Sequence, residues 1–179
     1  MHKHTRPWES DSDYLELVAD IKDHQFIKDL ERFPQHIHGN RMIHSFQVSY
    51  KSYKIARKLG LDYRSVARAG LMHDLFYYMP GELSFSHGNH LSNHPYIALQ
   101  NSRALTSLNP IEEDIIVKHM WLATAALPKY RESYIVTMVD KWVACEDFAY
   151  PLFRNFSTSF QCKVYKYFLG LDLREEMRD

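Results

Sequence analysis

Apolar residues recur at intervals of three and four along most of the chain, and no stretch sustains alternation of period two. That spacing lines one face of a helix with 3.6 residues per turn and cannot line one face of a strand, so it directs the chain to an all-α fold. There is no internal repeat, low-complexity tract or long linker. At 179 residues the chain fits one domain, given about 100–200 residues per domain. An apolar fraction of 45% supplies a core, and 14% aromatic content is incompatible with disorder as the dominant state.

The spacing predicts a helical bundle of about six to seven helices. The first runs from about Asp13 to Phe33 on a stripe of Tyr14, Leu17, Val18, Ile21, Ile27 and Leu30, and Pro34 stops it. The second runs from about Asn40 to Leu59, closed by Gly60. The third is capped by Asp62 and carries Val66, Ala67, Gly70, Leu71, Leu75 and Phe76, ahead of a Pro80-Gly81 turn. Residues 82–93 read as a loop, and Pro95 opens a fourth helix to Leu105. Asn109-Pro110, followed by Glu112 and Glu113, starts a fifth that reaches His119 and Met120. A sixth spans about Glu132 to Phe148, Pro151 breaks the chain, and a last segment covers about 153–169. The whole chain reads as a single domain, with its motif-bearing core at about 37–147. The aromatic-rich extension at about 151–170 either packs back on that core or forms a homodimer surface.

Composition removes several classes of function. Lys plus Arg and Asp plus Glu both number 22, giving no formal net charge, and no basic run stands out. Both features argue against nucleic acid as a partner. No run of about 18 apolar residues exists, so no membrane span is expected. The N-terminal MHKHTRPWESD has no apolar stretch of the kind a secretion signal needs. Cys145 and Cys162 read as reduced thiols of a cytoplasmic protein.

Histidine is the deviant, at 11 residues. His44, the pair His73-Asp74, His94, His119 and Asp140 are each embedded among Ile, Val, Leu, Met or Phe and are expected to face inward. Burying a polar group without a partner costs about 2–7 kcal/mol. One such residue is ordinarily a hydrogen-bonded core histidine, but six are hard to satisfy separately. A divalent metal satisfies neutral imidazoles and ionised carboxylates together. One open catalytic site needs about three protein ligands plus water. Two metals about 3.5–4 Å apart, with one carboxylate bridging, would use all six. An adjacent His-Asp pair inside a helix diverges by about 100°, so both reach one cluster only over their shared edge.

The order His44, His73-Asp74, His94, His119, Asp140 resembles the HD-domain metal-dependent phosphohydrolase superfamily, in its single-domain members that bind two metals. AGLMHDLFYY resembles the family's defining His-Asp helix, and NHPYIALQNSRAL its His-Pro helix start. IIVKHM resembles the fourth-histidine segment and MVDKW the last aspartate helix. The resemblance implies an all-α HD fold. It implies that His44, His73, Asp74 and Asp140 hold one metal and that Asp74, His94 and His119 hold another, with Asp74 bridging. It further implies hydrolysis of a phosphoester by a metal-activated hydroxide. The metals would be divalent, Fe or Mn ahead of Mg, Co, Zn or Ni, and the substrate a small phosphorylated molecule such as a nucleotide. The Gly-Tyr-Pro signature of cyclic-dinucleotide phosphodiesterases is absent, and LFYYMP after Asp74 lacks the lysine of several branches.

Three further residues bear on catalysis. Arg41 lies three positions before His44, on the same helix face, and reads either as a phosphate-binding guanidinium or as a structural pairing. Lys141 follows Asp140 and either offsets phosphate charge or pairs with a nearby acid. His90, four residues before His94, reads as a general acid or as a plain loop histidine. His87 reads as an exposed loop residue. Lys118 and His24 read as solvated, and Tyr77, Tyr78 and Trp121 as core. His36 and His38 bracket Ile37 in the short entry to the second helix and read as plain entry residues sooner than as the lining of a pocket mouth. Two other functions share the same ligand set: oxidation of a substrate with O2 at a di-iron centre, and a non-catalytic binding module with structural metal.

Overall fold

In the computed structural model, which describes residues 6–35 and 39–153, every long element is a helix. The short α1 (Pro7–Ser10), α2 (Ser12–Leu17) and α3 (Gln25–Asp29) lead through a 3₁₀ turn, Leu30–Arg32, into the two-residue strands β1 (Pro34–Gln35) and β2 (Gly39–Asn40). Then come α4 (Arg41–Lys58), α5 (Tyr63–Met72), α6 (His90–Leu105), α7 (Pro110–Lys118) and α8 (Arg131–Phe153). The antiparallel pairing of Gln35 with Gly39 and Pro34 with Asn40 is the only sheet among the described residues. Residues 1–147 form one compact unit, which holds all six candidate ligands. The final helix expected at about 153–169 lies outside the described residues, apart from its first position.

One face of α4 is buried, and much of it is polar. Arg41, His44, Ser45, Val48, Ser49, Ser52, Tyr53 and Ala56 all face inward, a spacing of three and four that fixes one helical face. The same stripe that builds the core therefore delivers Arg41 and His44 to the interior at its N-terminal end. Its approach to α5 depends on Gly70, where a Cβ would lie 2.8 Å from the Cα of Ser49. Ser49 Oγ donates to Ala67 O at 2.5 Å and accepts from Tyr14 Oη at 2.8 Å, which ties α2, α4 and α5 together. Tyr14, Val18, Ile21, Ile27 and Leu30 complete the core with Ala98 of α6, Ile115 and Ile116 of α7, and Val136, Val139 and Val143 of α8.

A buried cation braces the far side. Arg68 Nε donates to Glu112 Oε1 at 2.7 Å and Nη1 to Asp20 Oδ1 at 2.5 Å. Asp114 of α7 accepts from Lys129 N, Tyr130 N and Ser133 Oγ, and so caps the start of α8.

Four helix boundaries correct the spacing-based expectation. The single first helix, Asp13–Phe33, is instead α2, a run of turns, α3 and the 3₁₀ turn. After Val18 the backbone tightens into bonds to the third carbonyl back, and His24 Nδ1 accepts from Phe26 N to start α3. His24 is thus a helix cap. The apolar residues of that stretch are buried all the same, so turns satisfied the spacing as well as a helix would. The third helix stops at Met72 rather than continuing through Phe76. The fourth begins at His90, five residues early, because Asn89 accepts from Ser92 N and Gly88, at φ +71, turns the chain where a Cβ would meet Ser92 Oγ. Pro95 costs only one bond so near the helix start. Pro151 does not break the chain: α8 runs on to Phe153.

Candidate metal centre

His73 and His119 occupy equivalent places, each the C-cap residue of its helix, α5 and α7. His73 Nδ1 donates to Gly70 O at 2.8 Å, and His119 Nδ1 donates to Ile116 O at 2.8 Å. Each ring thereby satisfies one of the carbonyls a helix end leaves unpaired. His94, on α6, makes the analogous bond from Nδ1 to His90 O at 2.9 Å. A neutral imidazole whose proton sits on Nδ1 carries a lone pair on Nε2. Nδ1 is tied to backbone in all three rings, and their Nε2 atoms converge on the same buried space.

The end of α5 also settles the His-Asp pair. Leu75 N bonds Met72 O and Phe76 N bonds Asp74 O, so the helical ladder stops between the two residues and Asp74 turns in beside His73. His73 itself keeps helical backbone angles, φ −58 and ψ −33, and its Nε2 lies 3.7 Å from Asp74 Oδ2. The carbonyls freed in this segment are taken by side chains: Leu75 O by Asn101 Nδ2 at 2.8 Å, Phe76 O by Arg41 Nη1 at 2.6 Å and Tyr78 O by Arg41 Nη2 at 3.2 Å. Arg41 is 1% exposed. Of the two readings of this residue, a structural one accounts for these bonds.

All six sequence-predicted ligands come together, in two trios. Within His44, His73 and Asp140, and within Asp74, His94 and His119, one ligand atom per residue lies within 4.8 Å of the others. His44 Nε2 is 3.0 Å from Asp140 Oδ1, and His73 Nε2 is 3.5 Å from the same oxygen. Asp74 divides its oxygens. Oδ1 is 3.4 Å from His94 Nε2 and 3.5 Å from His119 Nε2, whereas Oδ2 is 3.7 Å from His73 Nε2. Five of the six are buried, and Asp140 keeps 14% side-chain exposure.

The residues fit divalent metal on four observations. His73 Nε2 is buried with no hydrogen-bond partner. The Nε2 atoms of His94 and His119 are 2.9 Å apart, although both rings hold their protons on the far nitrogen; two facing lone pairs call for a cation between them. The C-terminal ends of α5 and α7 both point here, and a helix C-terminus favours positive charge. The donor set, neutral imidazole plus carboxylate, suits Zn, Fe, Mn or Co. The charge states agree. Burial opposes ionisation of Asp74, but His73, His119 and His94 hold its carboxyl well below the usual range. His44 and His73 do the same for Asp140 against the same burial. Burial, together with neighbouring His94 and His73, lowers His119 and keeps it neutral. His73 is the exception: burial opposes its charge, yet Asp74 and Asp140 push its pKa up to about 9.

Lys141 and His90 border the cluster. Lys141 Nζ donates to His119 O at 2.8 Å and lies 3.8 Å from Asp140 Oδ2. The His90 ring stacks on that of His94 with centroids 4.5 Å apart, and its Nδ1 is 3.1 Å from Tyr78 Oη. Tyr78, read from the sequence as core, is therefore part of the site's rim. Tyr77 instead donates to Phe26 O, and Trp121 packs on Tyr134. Gln35 was invisible in the sequence: its Nε2 donates to Asp74 Oδ2 at 3.0 Å, and nothing in the spacing marks a lone glutamine after Pro34. His36 and His38 lie outside the described residues.

Comparison with known families bears on this geometry. Residues 41–127 match the family model "HD domain", a segment that includes His44, His73, Asp74, His94 and His119 and ends before Asp140. The matched segment, a little under half of the chain, thus resembles an HD domain, a family mostly of metal-dependent hydrolases. Comparison with curated proteins and with solved structures returned no match. Among the described residues, no helix is long and apolar enough to cross a membrane.

Proposed function

We propose that this protein is a dinuclear phosphohydrolase that cleaves a phosphoester of a small molecule, such as a nucleotide, in the cytoplasm. The observation that carries the reading is the division of Asp74, one oxygen toward His94 and His119 and the other toward His73. A carboxylate so placed suits a bridge between two metals, with His44, His73 and Asp140 completing one set of ligands and His94 and His119 the other. Divalent ions held there supply Lewis acidity and lower the pKa of water toward neutrality.

The chain's own residues do the rest. Capping bonds hold His73 and His119 in one tautomer and orientation, so no reorganisation is needed at the moment of reaction. Lys141, with 27% of its side chain exposed, offsets negative charge on the phosphoryl oxygens. In its protonated form His90 donates from Nδ1 to Tyr78 Oη at 3.1 Å and carries a second proton on Nε2. That Nε2 proton passes to the leaving oxygen as the phosphorus–oxygen bond breaks and water oxygen bonds to phosphorus, leaving the neutral ring that burial and neighbouring His94 favour. Arg41 acts indirectly, by holding the Leu75–Tyr78 segment beside Asp74.

The test is metal content followed by turnover. Protein purified without chelator should carry about two metals per chain and hydrolyse members of a panel of phosphomonoesters and nucleotides without consuming O2. Iron-dependent O2 uptake with no phosphate release would replace hydrolysis by oxidation. Stoichiometric metal with neither activity would leave a binding module. His90→Asn with undiminished kcat would remove His90 as the acid.

A further inference from the structure

We propose that Gln35 is a positioning residue for Asp74, holding the carboxylate in the rotation that shares it between the two trios of ligands. The inference rests on the dinuclear reading above. Gln35 lies ahead of the segment matched by the family model, on β1. Its backbone is held by pairing with Gly39, and the next turn of chain by Arg41 N donating to Phe33 O at 2.9 Å.

The amide is oriented from both ends. Its Oε1 accepts from Arg41 Nε at 3.2 Å, and its Nε2 donates to Asp74 Oδ2 at 3.0 Å. A guanidinium only donates and an ionised carboxylate only accepts. A flipped amide would therefore set donor against donor and acceptor against acceptor. Arg41 is itself immobile: besides its bonds to Phe76 O and Tyr78 O, its guanidinium carbon lies 3.6 Å from the centroid of the Phe76 ring. The relay thus begins at a buried, rigid cation and ends on one oxygen of one carboxylate.

That asymmetry matters because rotation about the last bond of an aspartate side chain is soft and roughly two-fold. Among the described residues, Gln35 is the only side chain hydrogen-bonded to Asp74 that is not itself a proposed ligand. By holding one oxygen it fixes the rotation of the carboxylate, so that the other faces His94 and His119. Partners of this kind typically change metal affinity by about 10–100-fold.

The experiment uses the full chain and Mn2+ as probe, with electron paramagnetic resonance reporting both free ion and the exchange-coupled pair. Gln35→Met keeps the length and removes both bonds. It should weaken Mn2+ binding by about 10–100-fold and abolish or shift the coupled signal, while the Tm of the chelated protein stays within a few degrees of the parent's. His94→Ala is the contrast: it should lose one ion and keep the other. A Gln35→Met protein with parental affinity and parental coupled signal would overturn the inference and leave the dinuclear reading standing. A large fall in the Tm of the chelated variant would assign Gln35 a general structural role instead. A parent that takes up no Mn2+ would overturn the dinuclear reading, and this inference with it.

Discussion

His94 and His119 face each other Nε2 to Nε2 at 2.9 Å, while each ring's Nδ1 donates to a backbone carbonyl of its own helix. Neither ring has a second proton to offer while neutral, so the contact is favourable only with a cation between or beside the two nitrogens. A proton would have to enter a space where burial and the neighbouring imidazoles disfavour it. A metal ion meets the same need and also draws on Asp74, whose Oδ1 lies 3.4 Å from His94 Nε2.

His94→Ala removes one member of the trio His94, His119, Asp74 and none of the other. Metal content by mass spectrometry should fall from about two per chain to about one. Unchanged content would show that this trio does not hold an ion.

Metal uptake should be pH-dependent, with a sign set by His73. Its charged form persists up to about 9 in the metal-free site, so a metal ion must displace that proton at neutral pH. Affinity should rise from pH 6 to pH 9, and uptake at pH 7 should release protons measurable by calorimetry in buffers of different ionisation enthalpy. The linked effect on stability runs the other way. In chelated protein the raised pKa contributes stability that is complete below the ordinary value of 6.5 and is lost as pH rises through about 9. A Tm of the chelated protein that does not decline across that window would contradict the charge on His73.

Gly70→Ala places a methyl 2.8 Å from the Cα of Ser49, where backbone rather than a flexible side chain must give way. Separation of α4 from α5 should destabilise the protein by about 1–3 kcal/mol in denaturant titration. Because His44 and His73 ride on those two helices, metal affinity should fall in the same variant. Unaltered stability would mean that the two helices part without strain.

Arg41→Ala leaves the carbonyls of Phe76 and Tyr78 without their donors, both on buried residues. Two unmade bonds at about 1–3 kcal/mol each predict a substantial loss of stability, together with weaker metal binding through the displaced Asp74 segment. A variant with parental Tm and metal content but raised KM would restore the phosphate-binding reading.

Glu112→Ala serves as the distant control. It strips Arg68 of its buried partner, and breaking one side of such a pair costs about 3–5 kcal/mol. Metal stoichiometry measured below the lowered Tm should be unchanged, since Arg68 and Glu112 contact none of the six proposed ligands.

The helical class and the six residues that come together were legible because they depend on period and on polarity out of place. An imidazole among isoleucines announces itself wherever the chain later goes. Helix ends were less legible. Tyr14, Val18, Ile21, Ile27 and Leu30 are buried whether a helix or a series of turns carries them, so spacing did not reveal that His24 starts a new helix. Arg41 illustrates a different limit: its position on the His44 face followed from the count of residues, but its partners, the carbonyls of Phe76 and Tyr78, are 35 and 37 residues away.

Sequence alone determined which side chains have to be removed from water and which of those need a partner, since both follow from side-chain chemistry and local period. Tertiary structure decided the partners. It placed His73 and Asp74 together at the end of α5, turned the Nε2 atoms of three imidazoles inward by tying Nδ1 to backbone, and brought Gln35 to Asp74 across 39 residues. Those choices depend on backbone groups left unpaired at particular points in space, and a sequence carries no periodic trace of them.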